Sequence, residues 1–185
     1  MKNKFAVATV LTMTLTLCGL SSAQAPKTVT SVLDAGIKGA ESEFVPAAEA
    51  MPEDKYNFAP TNGEFKGVRT FAQQIKHVAA VNYMVAAAIL QEKPPVELGS
   101  ENGPDSIKSK ADVVKFIKDS YAYAHKAVAT ITPDNYIGEV PSPFGQGRST
   151  RMGLAVLLTA HSFDHYGQMA EYLRMNGIVP PASRQ

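Results

Sequence analysis

The sequence predicts an all-α fold, a four-helix bundle in one domain, on three observations. Four segments carry inward residues at alternating spacings of four and three. No segment sustains a period-two alternation bounded by hairpin turns, and the stretches between the four are rich in proline and glycine. At 185 residues and 45% hydrophobic composition, the chain can bury one good core and is short for two.

The first element to place is one that lies outside the bundle. Lys2 and Lys4 precede an uncharged apolar stretch from Phe5 to Leu20, and the small residues Ser21, Ser22 and Ala23 follow. Residues 1–23 therefore read as a secretory signal peptide, leaving 24–185 as the single bundle domain and predicting a periplasmic or extracellular protein. Cleavage after Ala25 would put Pro26 next to the scissile bond, which favours cleavage after Ala23. A lipid anchor at Cys18 is the competing reading, and Leu17 stands where such signals want a small residue; an uncleaved membrane anchor is a further one, against which the apolar stretch is shorter than the ~20 residues a span needs. Cleavage removes the only cysteine, so the mature chain has no disulfide, no thiolate and no cysteine-ligated metal. The formal charge of +1 less the two leader lysines gives −1, which offers nucleic acid no electrostatic footprint. No membrane association is expected after cleavage.

Helix one carries the seam Leu33, Ile37, Ala40, Phe44, Ala47 and Met51, with Pro46 expected to kink or interrupt it. Residues 51–67, with Pro52, Pro60 and Gly63, read as an ordered connection pinned by Tyr56 and Phe58. Helix two, about Val68 to Gln91, is apolar almost all round, and Thr70, Gln74, His77, Val81, Met84 and Ala88 form its predicted core-facing seam. The stretch 92–106 is longer than antiparallel neighbours need and is expected to cross the bundle. Helix three starts near Ser109, where Asp112 completes an acidic variant of a capping box, and continues through Val114, Ile117, Tyr121, Ala124, Val128 and Ile131. After a second irregular stretch, helix four runs from an N-cap at Ser149 or Thr150 to about 176, with Gly177 as the left-handed residue beyond it. The tail to Gln185 is expected to be loosely ordered.

Helix four holds the chemistry. His161 and His165 stand four apart, on one face and one turn apart, so both imidazoles can reach one ion. The seam Leu154, Leu158, His161, His165, Gln168 and Tyr172 turns both inward, where unpartnered imidazoles cost a few kcal/mol and a shared metal relieves them. His77 lies on the seam of helix two and supplies a third ligand. Three neutral imidazoles on two helices form a facial cap with an open coordination position, and they suit zinc, nickel, copper or iron. His125 flanks its own seam and is set aside. Gln74, Asp164 and Gln168 are candidates to orient the ligands or to touch substrate, although Asp164 points about 100° away from His165 around the helix. Glu-x-x-His, His-Glu-x-x-His and Cys-x-x-Cys-His are all missing, which disfavours a ferritin-like di-iron site, the familiar zinc protease and covalent haem.

These residues resemble the DinB/YfiT-like superfamily. The likeness covers about Thr28 to Pro181 and rests on the isolated His77, on His161-Ser-Phe-Asp-His165-Tyr-Gly-Gln168, and on Tyr172-Leu-Arg-Met-Asn-Gly177. The connection Met51-Pro-x-x-x-Tyr56-x-Phe58-x-Pro60 adds to it. The resemblance implies an up-down-down-up bundle, a divalent ion such as zinc or nickel on the three histidines, and a homodimer. Characterised members include thiol-dependent transferases and isomerases. Low-molecular-weight thiols are scarce outside the cell, so the leader points toward hydrolysis instead. Two readings follow: a metal-dependent hydrolase or transferase of an unknown small molecule, or a non-catalytic metal-binding or sensing bundle. A site of merely hydrogen-bonded histidines is the third possibility.

Overall fold

A computed structural model describes residues 27–184, so the leader predicted over 1–23 lies outside the described residues. Four helices carry the fold: α1 Val29–Ala50, α2 Phe71–Leu90, α3 Lys110–Val128 and α4 Arg151–Met175. Each begins on a threonine or serine whose side-chain oxygen accepts a backbone N–H three residues on: Thr28, Thr70, Ser109 and Thr150. Thr70 and Gln73 form a full capping box, which moves the start of α2 from Val68 to Phe71. At Ser109 only half the box forms, because the Asp112 carboxylate is bonded to the Ser109 hydroxyl and not to its backbone N–H. Pro46 does not interrupt α1, which is continuous through it. Gly177 takes the left-handed φ of 73° expected beyond α4.

Hydrogen bonds between helix ends give the helix directions. The Lys110 ammonium at the start of α3 donates to the carbonyls of Glu49 and Met51 at the end of α1, and Thr30 donates to the Ile131 carbonyl at the opposite end, so α1 and α3 are antiparallel. Tyr172 donates to the Arg69 carbonyl and Arg151 to the Gln91 side chain, which makes α2 and α4 antiparallel. The Tyr123 hydroxyl, near the end of α3, donates to Glu92 just beyond α2. Helices α2 and α3 therefore run in parallel, and the order is up-down-down-up. The connection from Gln91 to Ser109 crosses back along the bundle, as its length predicts.

Ile37, Phe44, Phe71, Ile75, Ile89, Ile117, Tyr121, Leu158 and Leu173 are sealed in one core. Tyr56 and Phe58 pin the 51–70 connection: the Tyr56 hydroxyl donates to the Ala48 carbonyl at 2.6 Å, and Phe58 meets Tyr172 edge-on. The irregular stretch before α4 contains a hairpin that periodicity cannot reveal in three-residue strands. Glu139–Pro141 pairs antiparallel with Arg148–Thr150, Val140 opposite Ser149. The tail is more ordered than expected: Pro181–Ser183 forms a turn packed on α1.

Candidate metal centre

Antiparallel α2 and α4 bring His77 opposite His161 and His165, and one ring nitrogen from each of the three lies within 4.8 Å of the others. The His77 and His161 Nε2 atoms are 3.2 Å apart. Two ligands of a tetrahedral zinc, each at about 2.0–2.1 Å, stand roughly 3.3 Å apart, so this separation fits a shared ion.

The far nitrogens explain why Nε2 faces inward. His77 Nδ1 meets the Glu101 carbonyl, and His165 Nδ1 lies 2.6 Å from Gln74 Oε1. A carbonyl oxygen only accepts, so each Nδ1 carries the proton and donates, leaving the Nε2 lone pair free for a metal. His161 has no such brace; its buried Nδ1 has no hydrogen-bond partner among the described residues.

All three are held in the neutral, ligating form. Burial lowers His161 to about 4, with the His77 charge adding to it, and lowers His165 to about 3, with His161 and His77 adding to it. His77 is lowered too, chiefly by burial.

Gln74, Gln168 and Asp164, singled out from sequence, lie in one chain that leads from His165 to solvent. Gln74 Nε2 donates to Gln168 Oε1 at 2.9 Å, and Gln168 Nε2 reaches Asp164 Oδ2 at 3.5 Å. Gln168 is exposed, not core-facing as its seam position predicts, while its neighbours Met169, Ala170, Tyr172 and Leu173 are the buried residues of this part of α4. Asp164 is exposed and hydrogen-bonds to no histidine, in keeping with its angular offset. His125 sits on the flank between Asp34 and Glu41 of α1, away from this centre.

Sequence reasoning misses three contributors. Glu101 acts through its backbone carbonyl, which leaves no side-chain signal. Arg69 holds the crossover, donating to Asn102 at 3.0 Å and pairing with Glu101 at 3.5 Å, and its charge helps to depress all three histidines. Lys76, 92% buried by its 8% exposure, donates to the Pro104 and Ile107 carbonyls and ties the same crossover to α2. Beside the histidines opens a cavity of about 600 Å³, floored by His77, Val81 and Met84 and walled by Leu98, Leu157 and Phe144. The face of α2 expected to point at the core therefore lines this cavity. Among the described residues, no carboxylate is hydrogen-bonded to any of the three histidines; the Glu101 side chain is 91% exposed.

The DinB superfamily model matches residues 37–169, a span that contains all three histidines. Among solved structures, a DinB-like protein from Bacillus subtilis superposes with a TM-score of 0.61 at 17% identity, covering 79% of this chain and 92% of that one. At that identity the likeness speaks for the fold alone. No curated protein matches the sequence. With a family match running from within α1 past His165, and a bundle that superposes on a solved DinB-like structure, this chain belongs to the DinB superfamily.

Proposed function

We propose that the protein holds a divalent ion, zinc or nickel, on His77, His161 and His165, and that it is a hydrolase or transferase acting on a small molecule in the adjoining cavity. The observation that carries the reading is the convergence of the three histidines beside that cavity, with two Nδ1 atoms braced by carbonyl oxygens. A bound ion supplies Lewis acidity and makes a coordinated water or thiol a nucleophile at neutral pH. The chain's own part is to fix two tautomers, through Glu101 and Gln74, and to keep the imidazoles neutral. The apolar walls limit water at the centre. The amino-terminal pattern of residues 1–23 supports export, which favours hydrolysis over thiol transfer, and the family resemblance supports a homodimer.

A second reading, a non-catalytic metal-binding or sensing bundle, is favoured by one observation. Among the described residues, the centre has no hydrogen-bonded carboxylate to serve as general base.

Metal analysis of protein purified without an affinity tag tests both. The expected result is close to one equivalent, lost in His161→Ala. Less than about half an equivalent, unchanged by His161→Ala, would remove both readings. If metal-replete protein then turns over an ester, amide or thiol-transfer substrate, the catalytic reading stands; failure on all three classes leaves the binding bundle.

A further inference from the structure

The seam of α2 that lines the cavity does not end there. Val81 and Met84 floor the cavity beside the histidines, while Met84, Ala88 and Gln91 line a second cavity of about 440 Å³ further along the same face. Met84 borders both, so the two are neighbours along that face. The roof is shared as well: Phe144 covers the first cavity, and Pro143, its neighbour in the hairpin loop, covers the second. From His77 to Gln91 the floor runs about 21 Å at 1.5 Å per residue, roughly the length of an extended chain of 14–16 carbons.

The lining fits an apolar chain. Ala80, Ala87 and Ala88 keep the floor low, and Met84 at the junction has the flexible, polarizable side chain that adapts to such contacts. Phe144 is 54% exposed, a large aromatic held over the opening instead of packed into the core. The carboxylates at both ends are paired, Glu92 with Lys126 and Glu101 with Arg69, each at 3.5 Å, so the ends differ by the histidines: the near end alone of the two carries the imidazole cluster that can take a head group.

We infer that this groove binds amphiphiles, an anionic metal-binding head at the histidines and a straight acyl or alkyl tail lying along α2 toward Gln91. The inference rests on the metal reading for its head group alone; the tail site stands on the groove.

Saturated fatty acids of 6 to 16 carbons, each below its micelle-forming concentration, provide the test, with affinities measured by calorimetry on zinc-loaded and metal-free protein. Affinity is expected to rise about three- to fourfold per methylene, the worth of about 0.8 kcal/mol of burial, and to level off near 14 carbons. Zinc should tighten every chain length by a common factor without changing that slope. Ala88→Phe, which fills the far cavity, should move the plateau to about 10 carbons and leave octanoate binding unchanged. Phe144→Ser, on an exposed loop position that does not threaten the fold, should weaken all lengths alike. An affinity indifferent to chain length overturns the inference, as does a folded Ala88→Phe that weakens short and long chains equally. A slope that survives while zinc adds nothing leaves the tail site standing and removes the metal-bound head. Zinc binding without any slope removes the groove and keeps the metal centre.

Discussion

Gln74 on α2 and His165 on α4 meet with Oε1 2.6 Å from Nδ1, and the glutamine amide is held in that orientation because its other end donates to Gln168. An uncharged side chain on one helix thereby selects the tautomer of a histidine on the other. Gln74→Leu removes the acceptor and leaves a buried N–H unpaired, so zinc affinity should fall about ten- to hundredfold. Gln74→Glu keeps an acceptor for Nδ1 and should lose much less. Chelator competition measures both, and equal affinities for wild type and Gln74→Leu would refute the assignment.

An ion held as proposed by His77 on α2 and by His161 and His165 on α4 would bind the folded chain and not the unfolded one. At a free zinc concentration of about 100 Kd, mass action stabilises the fold by about 2.7 kcal/mol. For a domain of this size, the melting temperature should rise by about 5–10 °C. His161→Ala should show no zinc-dependent rise in a thermal scan, and a full rise in that variant would place the ion elsewhere.

Metal-free protein should lose stability as the pH falls. His161 and His165 stay neutral in the fold down to about 4 and about 3, whereas in the unfolded chain each takes up a proton near 6.5. Their contribution is fully present above 6.5 and is lost as the pH drops from 6.5 toward those values, because the unfolded state then binds more protons. Urea unfolding between pH 7.5 and 4.5 should show a flatter pH dependence in the double variant His161→Gln, His165→Gln than in wild type; parallel curves would contradict it.

The crossover is tied down at Gly103. Its φ is 75°, and an added Cβ would lie 2.6 Å from the Cβ of buried Lys76. Gly103→Ala should therefore cost about 2 kcal/mol or more in urea denaturation. Lys76→Met, which leaves the Pro104 and Ile107 carbonyls without their donor, should cost about 1–3 kcal/mol. Both variants should also weaken zinc binding, since the crossover carries the Glu101 carbonyl that braces His77. Unaltered zinc affinity in both would separate the crossover from the centre.

What was legible in the sequence was what side chains announce locally. Ser109 and Thr150 are legible as caps because their oxygens can reach the backbone at the helix start, whereas Thr70, expected in the seam of a helix starting at Val68, is the N-cap of α2 instead. His161 and His165 reveal themselves by spacing along one helix. The direction of a face is harder to read. Gln74, His77, Val81, Met84 and Ala88 satisfy the seam pattern, yet α2 is apolar on nearly every side, so periodicity cannot say which side meets another helix and which lines a cavity. The Glu101 contact is illegible for a different reason. It is made by a backbone carbonyl, which every residue possesses, and its position depends on a crossover held by Lys76 and Arg69 from a distance in sequence.

Glu101 has a double placement, its carbonyl on His77 and its residue in the cavity wall. An occupant of the cavity and an ion on His77, if both bind as proposed, would therefore share a residue. Thermodynamic reciprocity would then make any coupling symmetric: whatever factor the ion contributed to the occupant's affinity, the occupant would return to the ion's.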